Sequence, residues 1–317
     1  MKILVICSGN TPKGEEFDIK IHQSFIYEQV ESLKNFGFEF EFFFITGKGL
    51  WGYLKHIPNL KKEIINGYKF VHAHNGLCGL ISNLQRRVPV VTTYHGSDIN
   101  LRSLRFFSYS AILTSAQNIL VSRNQYDRLF LKRRVNIIAC GVDTSVFRPI
   151  DKLKALSNVN LDPEKKYILF ASSFSNRIKN YSLAEAALKT LNIEDIEILE
   201  LKGKIRATVC HLLNCSELLL LTSISEGSPQ IIKEAMACNC PIVSTDVGDV
   251  RQVIGNTEGC YITNFEPTDV AQKIQFAFDF STTRGRTKGR ERILELGLDA
   301  ETVANRIMDV YRKVLKS

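Results

Sequence analysis

Short apolar runs alternate with amphipathic stretches along almost the whole chain, and this alternation constrains the fold more than any other feature. The runs at 2–7, 38–45, 70–74, 88–92, 119–122 and 135–139 read as strands. Within 21–35, Phe25, Ile26, Val30 and Leu33 recur at the spacing of one helix face, and helical segments separate most of the other strands. Parallel strands need a crossover, and a helix in each crossover covers both faces of the sheet. Around Phe147-Arg148-Pro149 the pattern breaks, and the polar stretch 150–166 reads as a linker. Alternation then resumes. Strands are expected at 167–171, 196–201, 218–222, 241–244 and 260–263, and helices at 182–191, 207–214, 230–237, 269–278, 289–296 and 300–315. At ~150 residues per domain, 317 residues make two domains. The expectation is an α/β protein of two doubly wound, Rossmann-like domains facing a central cleft. In open parallel sheets ligands sit beyond the carboxyl ends of the strands, so the residues just after each strand matter most.

Composition narrows the classes. With 44% hydrophobic and 23% charged residues the chain can bury a real core, which excludes wholesale disorder. No apolar run approaches the ~20 residues of a membrane span. The apolar start at 1–7 reaches Ser8-Gly9-Asn10 too early for a secretory leader and reads as a buried first strand. The eight cysteines are scattered and form no CxxC pair, so reduced thiols are expected and a zinc site is not. A net charge of +8 suits acidic partners such as nucleotide phosphates or an anionic lipid surface. No DNA or RNA motif accompanies that charge, so nucleic acid is not an expected partner.

The segment from Ser225 to Ala237 is the strongest local signal. It follows a strand and opens a helix. Gly227 lets backbone approach a ligand closely. Pro229 suits a first helical turn, and the amides near Ser228, Gln230 and Ile231 are donors suited to a phosphate. Glu234 follows Glu226 by eight positions, and a carboxylate grips two hydroxyls in a fork. After the strand 167–171 comes a polar loop with two cations, Arg177 and Lys179, well placed for a diphosphate. His95 follows the strand at 88–92 beside Gly96, where a neutral imidazole can hydrogen-bond a ligand hydroxyl. Asp98 either orients that loop or serves a ligand. His72 and His74 alternate on one strand, and at least one is expected to be buried and satisfied. Gly47-Lys48-Gly49-Leu50-Trp51-Gly52 matches G-x-G-x-x-G, but it follows the second strand and no acidic residue ends the next one.

Glu226 and Glu234, within EGSPQIIKEAMACNCPIVSTDVGDV, resemble the E-x7-E signature of retaining glycosyltransferases of family 4, with a GT-B fold. Thr92–Ile99 resembles that family's H-G-[ST]-D segment, residues 141–149 its GVD-x3-F-x-P signature, and 71–74 its H-x-H strand. The motifs run in the expected order over nearly the whole chain. The resemblance implies an N-terminal acceptor-side domain over 1–149, the linker at 150–166 and a nucleotide-sugar donor domain over 167–299. The last helix, 300–317, would pack back on the N-terminal domain. The implied reaction moves a hexose-type sugar, with retention, from a nucleoside diphosphate donor to a hydroxyl acceptor. A UDP-linked donor is expected, with a carbohydrate or lipid-linked acceptor in cell-surface polysaccharide or glycolipid synthesis.

Within that resemblance Glu226 and His95 are the catalytic candidates. Lys179, Arg177, Ser173, Gly227, Ser228, Pro229, Gln230 and Glu234 are the donor-binding ones, and Gly9, Ser97 and Asp98 lie on the acceptor side. The family carries an Arg directly after the strand, where Ser173 stands here, so Arg177 or Ser173 is the candidate replacement. No Asp-x-Asp pair occurs, so no metal and no cofactor are expected, the diphosphate being met by cations and a helix dipole. The expected location is cytoplasmic and peripheral on the inner face of the membrane. Arg86, Arg87, Arg102, Arg105, Lys132, Arg133 and Arg134 form the basic face that would meet an anionic membrane surface. A noncatalytic nucleotide-sugar binding protein and a nicotinamide-dependent oxidoreductase are the alternatives.

Overall fold

The computed structural model describes residues 1–11, 14–191 and 195–316. The chain divides into two compact units: Met1–Gly141 with the segment from Ala300 onward, and Val142–Asp299.

The first unit holds six parallel strands, β1 (Lys2–Ser8), β2 (Glu39–Ile45), β3 (Phe70–His74), β4 (Val90–Tyr94), β5 (Gln117–Leu120) and β6 (Val135–Ile137). Their order is β2-β1-β3-β4-β5-β6. The central strands β3 and β4 are buried along their whole length, as expected where helices cover both faces. One core cluster joins Ile3, Phe70 and Val91 of the sheet to Val303, Ile307, Met308, Val310, Tyr311 and Val314 of the last helix, Ala300–Leu315. The apolar positions 303, 307, 310, 311 and 314 fall on one helical face, which is why this helix seats on a sheet it follows by more than half the chain.

The second unit holds β7 (Lys166–Phe170), β8 (Ile196–Glu200), β9 (Leu218–Leu221), β10 (Ile242–Thr245) and β11 (Cys260–Thr263), in the order β11-β10-β9-β7-β8. Every pairing is parallel. In both sheets the chain steps out to one edge, then crosses back to the other side of its first strand. The switch point, where parallel α/β sheets bind ligands, therefore lies between β1 and β3 in the first unit and between β7 and β9 in the second.

The expected linker is not one. Residues 142–149 already belong to the second unit, and helix Lys152–Val159 fills most of 150–166. Asp151 caps this helix, and its Ala155 and Leu156 are buried. Asn214 ties the preceding turn down, accepting from Ile150 N at 2.8 Å and donating to Arg148 O at 3.0 Å. Two buried apolar side chains suffice to dock a short capped helix, too few to show as a periodic pattern in the sequence. Among the described residues no helix is long and apolar enough to cross a membrane.

Candidate functional site

The second unit brings Lys179 and Glu226 together at its switch point. Lys179 ends a short 3-10 turn, Arg177–Lys179, in the loop after β7, and Asn180 closes it at φ +54°. Glu226 lies in the loop after β9. Lys179 Nζ donates to Glu226 Oε1 at 2.7 Å, and Ser223 Oγ donates to the same oxygen at 2.7 Å. The two loops are stitched from below. Thr222 Oγ1 lies 2.9 Å from the carbonyls of both Lys179 and Asn180, and Ile224 N donates to Ile178 O at 2.9 Å. Both charged side chains are largely covered, at 21% and 15% exposure, so the pair is partly sheltered from screening.

Helix Gln230–Ala237 starts immediately beyond. Pro229 sits at its N-cap, outside the first turn, and makes no side-chain cap bond. Proline carries no N–H, so the backbone donors expected here belong to Ser228 and the first helical residues, not to Pro229. Gly227 is pressed against the next loop. A Cβ on Gly248, which has φ +59°, would stand 2.7 Å from Gly227 O. Every residue from Ile231 to Ala237 is buried, Lys233 and Glu234 included.

Glu234 is held by a residue the sequence did not flag. Arg206 Nη2 donates to Glu234 Oε1 at 2.5 Å, and the Arg206 guanidinium lies 4.6 Å from the centre of the Phe147 ring. Phe147 comes from the 141–149 motif. Arg290 fixes that motif by donating to Phe147 O and Thr144 O, each at 2.9 Å. The motif therefore supports a carboxylate far away in sequence. Lys233 was also missed. Its sequence carries no clear signal, because the helix mixes Gln230, Lys233 and Glu234 with apolar residues and reads as half-exposed.

Ser173 and Arg177 do not join the ion pair. Ser173 Oγ donates to Glu200 Oε1 at 2.8 Å and lies 2.9 Å from Ser175 Oγ, which commits it to the edge strand β8. Arg177 is exposed. A cavity of about 710 Å³ in this unit is lined by Gly255, Glu258, Arg284 and Arg292 among others. It opens before β11, at the amino-terminal edge of the sheet, and contains none of the expected residues.

In the first unit His95 lies in a row of histidines. The His74 and His95 rings stack with centroids 5.1 Å apart, and His74 Nδ1 is 2.9 Å from His95 Nε2. One face of His95 thus already meets a protein partner. Its Nδ1 lies 3.9 Å from Cys140 Sγ. His72 is buried and satisfied between Tyr311 OH at 2.7 Å and Thr93 Oγ1 at 2.8 Å. Burial depresses the His72 imidazole to about 3 and the His74 imidazole well below its ordinary value. Asp98 is turned inward, accepting from Gly96 N at 2.9 Å and His95 N at 3.2 Å. Burial raises its carboxyl to about 6, against the lowering effect of those amides. Asp98 is therefore turned onto the backbone of the His95 loop, which it orients. Ser97 is exposed. Gly9 is packed: a Cβ there would meet Phe44 Cβ at 3.0 Å, and its N–H donates to Ile45 O. The loop from Ser8 to Gly14 is only partly within the described residues.

The glycine-rich 47–52 segment is a folded turn. The Gly47 amide donates to Asn10 Oδ1 at 2.8 Å, and a Cβ on Gly47 would stand 2.9 Å from Gly52 Cα. The helix it opens, Gly49–Leu54, has six residues. These glycines permit close backbone packing and leave the Gly47 amide no role in holding a pyrophosphate.

Two family models match the chain in succession. Glycosyltransferase Family 4 covers residues 12–146, and Glycosyl transferases group 1 covers residues 175–279. The chain belongs to the group 1, family 4 glycosyltransferases. It is 26% identical to a glycosyltransferase of Methanocaldococcus jannaschii over 266 residues, 70% of this chain and 73% of that protein. It is 24% identical to the N-acetyl-alpha-D-glucosaminyl L-malate synthase of Bacillus anthracis, over 78% of this chain and 75% of the relative. Among solved structures, sucrose-phosphate synthase from Thermosynechococcus elongatus shares the fold at a TM-score of 0.82 and 15% identity, over 99% of both chains. Anabaena HepE in complex with UDP and glucose aligns at 0.74 and 15% identity, over 98% of this chain and 99% of that one. The two parallel-sheet domains are those of GT-B glycosyltransferases.

Proposed function

We propose that the chain is a retaining glycosyltransferase that moves a hexose-type sugar from a UDP-linked donor to a carbohydrate or lipid-linked hydroxyl, in cell-surface polysaccharide or glycolipid synthesis. The observation that carries this reading is the Lys179–Glu226 pair at the switch point of the second sheet. A cation and a carboxylate that hold one another are the two groups a sugar diphosphate separates. The diphosphate takes Lys179, and the sugar hydroxyls take Glu226. Lys179 and the amides at the start of helix Gln230–Ala237 then meet the charge that grows on the departing phosphate, which lowers the barrier more than it stabilises the bound donor. Glu234, steadied by Arg206, accepts from the ribose hydroxyls. His95 is the catalytic candidate carried by the first unit. The UDP and UDP-glucose held by Anabaena HepE support the choice of donor. Because fixed cations and amides supply the neutralising charge, the reaction is proposed to run without metal or cofactor.

The decisive experiment is a thermal-shift panel of UDP-, GDP- and ADP-linked sugars, followed by product analysis in EDTA. Stabilisation by one UDP-sugar, and a product of unchanged anomeric configuration in EDTA, bear the reading out. Silence from every donor overturns it. Turnover that survives Glu226→Ala removes Glu226 from the mechanism. A protein that binds a donor but never turns it over is the noncatalytic binding module instead.

A cytoplasmic, membrane-peripheral placement is proposed from the first unit's surface. Helix Arg102–Thr114 exposes Arg102, Phe106 and Leu113; Phe130 packs on its Tyr109 and is itself 83% exposed. Arg86, Arg87, Lys132, Arg133 and Arg134 are exposed too. Arg105 drops out of this face, because its guanidinium is spent on the Ile99 and Asn100 carbonyls. Cations beside exposed aromatic rings suit an anionic lipid surface. Co-sedimentation with anionic vesicles that fades with salt supports docking; equal binding to neutral vesicles, or none, argues against it.

A further inference from the structure

Lys233 is the least expected charge in the second unit. It is the fourth residue of helix Gln230–Ala237 and has no solvent exposure. A cation in the first turns of a helix stands where the helix dipole disfavours it, and burial adds a desolvation cost. The side chain leans toward the helix start, as helical side chains do. There its Nζ donates to Ser228 Oγ at 2.7 Å and to Gln230 Oε1 at 3.5 Å. Ser228 Oγ in turn donates to Asp249 Oδ2 at 2.6 Å. The order of donation is therefore fixed: ammonium to hydroxyl, hydroxyl to carboxylate. Asp249 is buried, and its Oδ1 has no hydrogen-bond partner among the described residues. Ser228 and Gln230 belong to the loop at 225–230, so this chain of bonds ties Lys233 and Asp249 directly to the loop of the proposed donor site.

The same loop is short of positive charge at its surface. Lys179 is paired with Glu226, Ser173 is committed to Glu200, and Arg177 stands exposed outside the pair. We propose that Lys233 is the second cation of the donor diphosphate site, acting from beneath the loop through Ser228 and the backbone amides, with Asp249 as its counter-charge. This rests on the donor reading given above. Lys233 does not touch the ligand; it is a positioning residue that sets the potential of the loop that does. A buried charge, shielded from water and salt, acts more strongly on the groups around it than an exposed one.

The sign of the charge separates this role from that of a simple strut. The test uses the full chain and measures binding of UDP by calorimetry, and of uridine by displacement of UDP. It compares wild type, Lys233→Met and Asp249→Asn, each checked for folding by thermal unfolding. Lys233→Met is expected to weaken UDP at least tenfold and leave uridine within twofold. Asp249→Asn, which removes the negative charge and keeps the cation, is expected to leave UDP binding unchanged or tighter. Three results overturn the proposal: Lys233→Met binding UDP like wild type, Lys233→Met weakening UDP and uridine alike, or Asp249→Asn weakening UDP as much as Lys233→Met does. Wild type that binds no UDP overturns the donor reading itself, and this proposal with it. Wild type that binds UDP while the variants fail the sign test overturns only the role of Lys233.

Discussion

The Lys179–Glu226 pair concentrates the proposed chemistry in two side chains, and each removal has its own signature. Glu226→Ala is expected to lower kcat by about a hundredfold or more, the scale of losing a group that acts in the transition state. Far-UV circular dichroism should remain that of the native protein, since the carboxylate packs no core. Lys179→Ala should both raise the donor KM and lower kcat, because the diphosphate is held in the ground state and charged further in the transition state. Steady-state kinetics with the donor found by the thermal-shift panel checks both; a Glu226→Ala variant with near-normal kcat contradicts the assignment. Buried histidines give a second expectation. His72 is depressed to about 3 when folded, against about 6.5 in an unfolded chain. Between those values the unfolded state binds the extra proton, so stability is full above about pH 6.5 and is lost as pH falls toward 3. From pH 7 to pH 5 His72 alone costs about 2 kcal/mol. His74 adds to this loss. Asp98 opposes it: its carboxyl is raised to about 6, so the folded state takes up a proton there that the unfolded state does not. Urea unfolding at the two pH values should show the net loss, with a smaller slope in His72→Asn; a flat profile contradicts the burial of a neutral imidazole.

At the scale of elements, backbone contact between loops shapes the site as much as side chains do. Gly248 holds φ +59°, and a methyl group there would collide with Gly227 O at 2.7 Å. Gly248→Ala must therefore strain its own backbone and push the 225–230 loop away, at a cost of about 1–3 kcal/mol. The expected result is a lower melting temperature with a raised donor KM; an unchanged KM shows that the loop tolerates the shift. Gly227 and Gly248 constrain each other through this close approach. Element-level reading of the sequence succeeded where the signal was local. Glu226, the following helix and Glu234 lie within one loop and two turns, so this loop-helix unit is legible from local spacing alone. Arg206 and Asp249 lie on other elements, and only the sheet order β11-β10-β9-β7-β8 brings their loops to the same edge. Helix Lys152–Val159 reads as a linker in the sequence because its two buried residues leave no periodic trace.

At the scale of the whole molecule, the chain returns to its first unit after completing the second. The last helix contributes Val303, Ile307, Met308, Val310, Tyr311 and Val314 to a core it shares with β1, β3 and β4. At ~1.5–3 kcal/mol for each large apolar side chain buried, its removal exceeds the marginal stability of a domain. A chain ending at residue 299 is expected to leave the first unit unfolded, read out as dye binding to exposed apolar surface and rapid proteolysis within 1–141; retained cooperative unfolding of that unit contradicts this. The sequence alone determined the alternation of strand and helix, the two-domain α/β class, and the local loop-helix unit that carries Glu226 and Glu234. It did so because periodicity and turn chemistry act over a few neighbouring residues. The tertiary structure alone decided which cations serve that unit, why Asp98 turns inward, and where Lys233 finds its partners. Those outcomes depend on long-range strand order and on burial, and a buried charge reveals its role only through the groups that fold around it.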